Sequence, residues 1–303
     1  MRRHFVHFLW GSLLAILGLV FVFFISVWNG WVGYMPDMDE LSNPIDKFAS
    51  QVYSSDQQLI GTWNADNNNR VAIDYNGLSP HLVHALVATE DERFYEHSGI
   101  DFIALGRAVV KRGVMGQASA GGGSTITQQL AKQLFSEKAH STVERLLQKP
   151  IEWIIAVKLE RYFTKEEILA MYFNYFDFLH NAVGIKRAAN VYFNKEPRKL
   201  TVTESAMLVG LCKNPSMFNP LRHPERCLQR RNVVLMQMVK SGYVTKDEYK
   251  ELSQRPLGLH FTRSKPVSGA GDYFQAFLRQ YMMAKKPERE NYQSWQNRQF
   301  VLD

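Results

Sequence analysis

The segment 90–101 (EDERFYEHSGID) opens with two adjacent carboxylic acids, Glu90 and Asp91, which are suited to acid–base chemistry. The residues before it follow a helical pattern that places Glu90 in line with two leucines at a spacing of four. Glu90 therefore lies at the end of an apolar helix face, where burial and the helix dipole both disfavour the carboxylate form. Such a group is a candidate general base. The alternative is that this acidic pair only forms a structural ion pair with Arg93 or His97.

A glycine-rich turn followed by a helix is the second candidate, in the segment 121–132 (GGGSTITQQLAK). The glycines lead into a helix that either Ser124 or Thr125 can cap, and the free N–H groups at a helix N-terminus bind anions. At about 100° per residue, Thr125, Gln129 and Lys132 share one narrow stripe of this helix. Hydrogen-bonding groups and a cation on one surface suit a phosphate or sugar ligand. The alternative is a loop before an ordinary amphipathic helix with a solvated face.

The third candidate is the pair Lys149 and Glu152, which are separated by three positions and so share a helix face. Pro150 suits the first position of a helix, which predicts that the helix begins there. Apolar residues within 151–159 cover almost every direction, so we expect the helix to be buried. A carboxylate on a buried helix is costly unless it is paired or functional. The alternative is a structural ion pair between these two residues.

Other site chemistries find no support in the sequence. No G-x-S-x-G, H-E-x-x-H, Walker A or G-x-G-x-x-G motif is present, and neither is the S-x-x-K or K-T-G of a transpeptidase. The 9 histidines show no ligand spacing, so no metal cage made by protein alone is predicted. Cys212 and Cys227 are too few for a tetrahedral metal site, and we expect unpaired, partly buried thiols.

The N-terminal segment Phe8–Trp28 carries no charged residue, and as a helix it would span about 30 Å, the thickness of a bilayer core. Arg2 and Arg3 precede it and acidic residues follow it, so the positive-inside rule places residues 1–7 in the cytoplasm. A cleaved signal peptide would have a shorter apolar region and a small-residue cleavage site. We therefore expect an uncleaved membrane anchor.

The rest of the chain has ordinary globular composition, with 46% hydrophobic and 21% charged residues. The net charge of +7 favours an anionic partner such as a membrane surface or a phosphorylated lipid, and no motif indicates nucleic acid. Short β-prone runs between Gln51 and Asp74 predict a small β-hairpin. From Ser79 to about residue 253 the pattern is helical. Capping boxes are predicted at Thr164–Glu167 and Thr201–Glu204, and a basic amphipathic helix over 222–240.

In this order, the motifs EDERFYEHSGID, GGSTITQQLAKQLF, KPIE, ILAMYFN and YFNKEPRKLTVTESAMLVGL closely resemble glycosyltransferase family 51. This family is the module of monofunctional peptidoglycan glycosyltransferases and of class A penicillin-binding proteins. The resemblance implies a mainly α-helical, lysozyme-like domain with two lobes. It also implies an inverting reaction that joins a growing glycan, held on undecaprenyl pyrophosphate, to the sugar hydroxyl of lipid II, giving β-1,4 glycan strands.

The resemblance also implies roles for individual residues. Glu90 matches the catalytic base, and Glu152 matches the second catalytic glutamate, which organises the donor pyrophosphate with or without a divalent cation such as Mg²⁺ or Mn²⁺. Lys132 matches a position near that pyrophosphate. The sequence departs from the family at Gln148, where Arg is usual, at Gln133, where Asn is common, and after Asn174, where an early glycine is missing. The predicted substrate-binding residues are Asp91, His97, Ser124, Thr125, Gln129, Lys132 and Lys149.

The predicted protein is thus a membrane-anchored peptidoglycan glycosyltransferase of the bacterial cytoplasmic membrane, with its catalytic domain on the outer side. Its expected partners are lipid II, undecaprenyl-pyrophosphate-linked glycan, the membrane and other cell-wall synthesis or division proteins. The alternatives are a lytic transglycosylase or lysozyme-like enzyme, and a non-catalytic scaffold for cell-wall assembly. The predicted segments are a cytoplasmic tail (1–7), a transmembrane helix (8–28), a linker (29–48), the glycosyltransferase domain (49–255) and a linker (256–303) toward a missing transpeptidase-type domain.

Overall fold

The structure is a computed structural model that describes residues 2–31, 35–36, 41, 50–53, 59–63, 71–110, 123–136, 141–262 and 277. The described part is mainly α-helical, and it contains one apolar N-terminal helix and one small sheet, which confirms the predicted fold class. The lysozyme-like, two-lobed shape stays a prediction. The helices are α1 (Arg2–Trp28), α2 (Pro80–Glu90), α3 (Phe102–Val109), α4 (Ile126–Phe135), α5 (Thr142–Tyr162), α6 (Lys165–Tyr175), α7 (Ile185–Phe193), α8 (Val202–Lys213), α9 (Pro224–Lys240) and α10 (Lys246–Leu252).

Helix α1 is long and apolar enough over His4–Trp28 to cross a membrane, judged by length and composition. Most of its large side chains are exposed, as expected for a lipid-facing helix, but its last turns contact α5. The rings of Phe24 and Trp153 stack with centroids 6.5 Å apart, and Val27 is 0% exposed. The anchor therefore packs against the protein as well as facing outward.

The two strands β1 (Ser50–Tyr53) and β2 (Leu59–Trp63) pair antiparallel with one irregularity in register, which confirms the predicted β-hairpin. The third β-prone run, RVAI at 70–73, adds no strand over its described residues 71–73. Ile73 instead exchanges two hydrogen bonds with the side-chain amide of Asn174, at 3.2 and 2.8 Å. These bonds hold the segment before α2 against the end of α6.

The core is a continuous set of buried apolar side chains between two groups of helices. Helices α2, α8 and α9 pack together, and α4 packs against both α5 and α6. Each fully buried Leu or Phe contributes about 1.5–3 kcal/mol to folding. Helix α2 ends at the acidic motif 90–101, and α4 begins within the glycine-rich motif 121–132. The packing of these helices therefore fixes the distance between the two motifs. The largest buried side chains include Leu82, Leu86, Phe94, Leu130, Tyr172 and Phe173.

The starts of the helices follow their capping residues. Both predicted capping boxes are present, with Thr164 at the start of α6 and Thr201 at the start of α8. Thr125 caps α4 by accepting a hydrogen bond from the backbone N–H of Gln128 at 3.2 Å. Of the two caps that the sequence allowed for this helix, the structure has Thr125. The predicted amphipathic helix over 222–240 is α9.

The predicted helix start at Pro150 is wrong, because α5 begins at Thr142 and runs through the proline. Proline lacks the N–H that would bond to the preceding turn, so it usually marks a helix start or a kink. Here Ser141 caps an earlier turn, and Arg145 reaches across the proline to Glu152 at 2.8 Å. This charge-assisted bond ties together the turns on either side of Pro150.

The turn between α6 and α7 is the place where the sequence lacks the usual early glycine. Leu179, His180 and Asn181 all adopt positive φ, at 67°, 55° and 60°. A left-handed conformation costs a non-glycine residue about 1–2 kcal/mol. The backbone N–H of Leu179 donates to Asp177 at 2.8 Å and its carbonyl accepts from the N–H of Ala182 at 2.8 Å, which offsets part of this cost.

The two cysteines lie on two different helices and are not bonded to each other. Cys212 lies on α8 and Cys227 on α9, and both are free and buried. The prediction of unpaired thiols is therefore confirmed, although they are more buried than expected.

Candidate active site

Glu90 is the last residue of α2, and its side chain is 18% exposed. Its Oε2 accepts a hydrogen bond from Gln129 Nε2 at 3.0 Å. Its Oε1 lies 3.5 Å from Nη2 of Arg230, a residue of α9. Of the structural ion pairs that the sequence allowed, the one between Asp91 and His97 is present, whereas Arg93 pairs with Glu96 and not with Glu90. An amide donor and a guanidinium thus both face the Glu90 carboxylate.

Asp91 and His97 join the loop after α2 to the start of α4. The buried carboxylate of Asp91 accepts a hydrogen bond from the backbone N–H of Ile126 at 3.0 Å, and it lies 3.0 Å from His97 Nε2. A negative charge at the N-terminus of α4 is also favoured by the helix dipole. Both side chains thus have protein partners that fix the loop, and their contact with substrate stays a prediction.

A second contact between the loop after α2 and the start of α4 joins Gly99 and Thr125. The Thr125 hydroxyl donates to the carbonyl oxygen of Gly99 at 2.8 Å, and its side chain is buried. Gly99 has φ +91°, and a Cβ there would lie 2.8 Å from the backbone carbon of Ala156 on α5. Only glycine fits this position. The Thr125 hydroxyl thus both donates and accepts a hydrogen bond within the protein, and its predicted contact with substrate stays a prediction.

Lys149 and Glu152 lie at the centre of a charged cluster. The side chain of Glu152 is 1% exposed, and its two oxygens accept hydrogen bonds from Arg145 at 2.8 Å and from Lys149 at 2.7 Å. Lys149 Nζ also donates to Ser124 Oγ at 3.2 Å, which connects α5 to the turn before α4. A buried carboxylate held by two cations satisfies its charge. The structural pair that the sequence allowed is therefore present, with Arg145 as a third member.

Lys132 stands beside this cluster on α4. Its side chain is exposed, and it makes no hydrogen bond or ion pair with any residue that the structure describes. Partial burial lowers the pKa of Lys132, and the positive charges of Arg145 and Lys149 lower it further, against an opposing effect of Glu152. We call these four residues, Lys132, Arg145, Lys149 and Glu152, the cation cluster. It presents an excess of positive charge that an anionic ligand would neutralise.

A cleft of about 250 Å³ lies between the end of α2, helix α3 and the turn before α4. Glu90 and Ser124 both line it, so the cleft leads from the carboxylate to the residue that Lys149 contacts. Arg107 of α3 also lines it, and its side chain makes no hydrogen bond or ion pair with the described residues. The remaining charged lining residues are Asp91, Glu92, Arg93 and Asp101.

Sequence reasoning missed four residues of this site. Arg145 lies one turn before Lys149, so an i,i+4 search around the Lys149–Glu152 pair could have found it. Arg107 is likewise on a helix that follows the acidic motif. Arg230 and Tyr172 carry no such signal, because they approach Glu90 and Gln129 only through the packing of α9 and α6.

The donor set does not fit a divalent cation held by the protein. Glu152 is the carboxylate that the resemblance places at the donor pyrophosphate, and each of its oxygens is already engaged by a cation. Within the described residues, no three His, Cys, Asp or Glu side chains form a group that could hold a metal ion. The positive charges at this place are those of the lysines and the arginine.

A helical protein with a carboxylate in a cleft and a cation cluster beside it has the parts of an enzyme that activates a hydroxyl and receives an anionic leaving group. A family model described as Transglycosylase matches residues 56–239. The chain belongs to this family, and the resemblance to glycosyltransferase family 51 is confirmed. The match falls inside the predicted domain 49–255, whose boundaries stay predictions. The predicted linker 256–303 lies mostly outside the described residues.

The chain is similar to several penicillin-binding proteins. It is 38% identical to penicillin-binding protein 1A of Aquifex aeolicus, over 92% of this chain and 36% of that protein. It is 36% identical to penicillin-binding protein 1A of Escherichia coli, over 82% of this chain and 28% of that protein. A crystal structure of penicillin-binding protein 1A from Haemophilus influenzae matches with 24% identity and a TM-score of 0.40, over 81% of this chain and 25% of that one. The chain thus spans about a third of the length of the Aquifex relative.

Proposed function

We propose that this protein is a peptidoglycan glycosyltransferase that polymerises lipid II into β-1,4 glycan strands and releases undecaprenyl pyrophosphate. One observation carries the proposal. Ser124 lines the same cleft as Glu90, and it accepts a hydrogen bond from Lys149 of the cation cluster at 3.2 Å. A base and a cradle for a diphosphate are thus adjacent, as this reaction requires.

The geometry assigns each group a part in the reaction. Glu90 accepts the proton of the acceptor sugar hydroxyl through Oε1, because Oε2 is occupied by Gln129. The hydroxyl oxygen then forms a bond to the anomeric carbon of the donor, and the bond from that carbon to the diphosphate oxygen breaks. The electron pair leaves with the diphosphate, whose growing charge is stabilised by fixed cations such as Lys132 and Lys149. Attack from the side opposite to the leaving group inverts the anomeric configuration.

The same proposal covers location and partners. Helix α1 fits a single-pass membrane anchor. Arg2 and Arg3 before it support a cytoplasmic N-terminus and a catalytic domain outside the membrane, by the positive-inside rule. The substrate and the growing glycan are both carried by lipids, so the membrane is the first partner of the enzyme.

The test is polymerisation of lipid II by the detergent-solubilised protein and by Glu90→Gln. A positioned general base contributes about 10²–10⁴-fold to rate, so Glu90→Gln should form no polymer above background. The amide keeps the size and most hydrogen bonds of the side chain, so folding should be unchanged. Glu225→Gln, an exposed residue in the first turn of α9, is the matched control and should polymerise like wild type.

The alternatives predict different results in the same assay. A lytic enzyme has no diphosphate to hold, and it would shorten preformed glycan while leaving lipid II unused. A non-catalytic scaffold would show no activity, and Glu90→Gln would change nothing. Polymerisation by Glu90→Gln at the wild-type rate would refute the proposed base.

A further inference from the structure

Glu90 is held by side chains that lie deeper in the protein than the cleft. Gln129 donates its Nε2 to Glu90 Oε2 at 3.0 Å, and its Oε1 accepts a hydrogen bond from the Tyr172 hydroxyl at 3.1 Å. Both ends of one amide are therefore used, and neither bond involves solvent. Gln129 thus bridges the base and a buried tyrosine, and its predicted contact with substrate stays a prediction.

The Tyr172 hydroxyl determines which end of the Gln129 amide faces Glu90. An amide carries a donor at one end and an acceptor at the other, and it can turn over. Because the Tyr172 phenol donates a hydrogen bond to the Gln129 carbonyl, the NH₂ group of Gln129 faces the Glu90 carboxylate. Burial raises the pKa of Tyr172 well above its usual value, so the phenol keeps its proton throughout the working pH range. Tyr172 is fully buried on α6, and Cys212 of α8 adjoins its hydroxyl.

Arg230 supplies the countercharge on the other side of Glu90. Its side chain is only 10% exposed, and its guanidinium lies over the Phe218 ring at 5.9 Å from the centroid. A Cβ added to Gly210 would approach Arg230 Cγ to 3.2 Å, which shows how closely α8 and α9 pack there. The guanidinium is therefore fixed in place. At 3.5 Å from Oε1 it stabilises negative charge without a short hydrogen bond, so that oxygen stays available.

The groups that face Glu90 come from every element around it. Tyr172 and Cys212 lie behind it, Arg230 lies beside it, and the cleft in front contains both acidic and basic side chains. The charged residues of the cleft are Asp91, Glu92, Arg93, Asp101 and Arg107.

We propose that Tyr172 is a positioning residue that acts through Gln129. It fixes the amide so that its NH₂ group faces Glu90 Oε2, while Oε1, which has only the 3.5 Å contact to Arg230, takes the proton of the acceptor. Arg230 is the second positioning residue. This inference rests on the proposed function, because it assigns how the base of that reaction is prepared.

The experiment compares Tyr172→Phe with Tyr192→Phe in the full-length protein. Both changes remove one buried hydroxyl, since Tyr192 donates to the carbonyl oxygen of Phe178 at 2.7 Å, but only Tyr172 connects to Glu90. The readout is the pH dependence of kcat/KM for lipid II polymerisation. Without the fixed donor the carboxylate form of Glu90 is less favoured, so the acid limb of the profile should move to higher pH. We expect a shift of about one pH unit for Tyr172→Phe and none for Tyr192→Phe.

Two further variants keep the inference falsifiable if Tyr172→Phe does not fold. Gln129→Met retains the length of the side chain without hydrogen bonds, and it should give the same shift. Arg230→Met should shift the acid limb at least as far, whereas Arg230→Lys should restore most of it. If wild type polymerises but all the acid limbs coincide with that of Tyr192→Phe, the positioning role is refuted and the proposed function stands. If wild type does not polymerise, the proposed function itself fails.

Discussion

Lys132→Ala separates catalysis from stability more cleanly than any other change in the site. Lys132 is exposed and makes no hydrogen bond or ion pair with the described residues, so its removal breaks no such contact with them. It also relieves repulsion from Arg145 and Lys149, although the attraction of Glu152 is lost as well. The free energy of unfolding should therefore change by less than about 1 kcal/mol. Loss of a fixed charge that stabilises a leaving group costs about 10²–10³-fold in rate, or about 3–4 kcal/mol.

The sign of the stability change depends on pH. Burial and neighbouring cations lower the pKa of Lys132, so the folded protein holds this proton less tightly than the unfolded chain does. The resulting penalty is present at neutral pH, where the lysine is charged, and it disappears as the pH rises above the folded-state pKa. Any gain in stability of Lys132→Ala over wild type should therefore be largest near neutral pH and shrink in alkaline solution.

The assays are lipid II polymerisation and denaturant unfolding of the same preparations. Lys132→Arg keeps the charge and should retain more activity than Lys132→Ala. Lys213→Ala removes an exposed lysine at the end of α8, away from the cation cluster, and should change neither quantity by much. If Lys132→Ala polymerises like wild type, or if it unfolds under the assay conditions, the diphosphate cradle lies elsewhere.

Two other changes test the backbone around the site. Gly99→Ala puts a Cβ at 2.8 Å from the backbone of Ala156 and forces a residue with φ +91° into a strained region, so thermal unfolding should show a loss of at least about 2 kcal/mol, with lower activity. Unchanged stability would mean that the backbone of Ala156 can move away from a Cβ at position 99. Leu179→Gly relieves one left-handed leucine at φ 67°, and chemical denaturation should show a gain of up to about 1 kcal/mol without a change in activity. A loss of stability would show that the leucine side chain contributes more than the strain costs.

Local features of the fold were predictable because their causes are local. The capping boxes at Thr164 and Thr201 were found because a cap and its partner lie three residues apart. The start of α5 was misplaced because the proline rule considers only backbone donors near Pro150. It does not consider a guanidinium that bridges the turns around the proline, as Arg145 does.

The residues of the candidate site likewise separate into those that a local motif indicates and those that only tertiary packing brings together. Glu90, Lys132 and Glu152 could be chosen from motifs, since each lies within a recognisable run of residues. The contact between Arg230 and Glu90 joins residues 140 positions apart, and no periodicity indicates it. The bridging role of Gln129 was also hidden, because a stripe on one helix shows which residues share a face but not what lies opposite them.

The contact between α1 and α5 determines where the cation cluster lies relative to the membrane-spanning helix. Phe24 precedes the last residue of α1 by four positions, which is about 6 Å along the helix axis. Trp153 stacks on Phe24 and directly follows Glu152 in the chain. Lys158, two helical turns from the cluster, lies over the ring of Trp28 at 5.0 Å from its centroid. With α1 across a bilayer, these contacts hold α5, and with it Glu152 and Lys149, beside the end of the membrane-spanning helix. In the proposed reaction, the lipid-linked diphosphate reaches the cation cluster by lateral diffusion, with its hydrocarbon chain still among the other lipids.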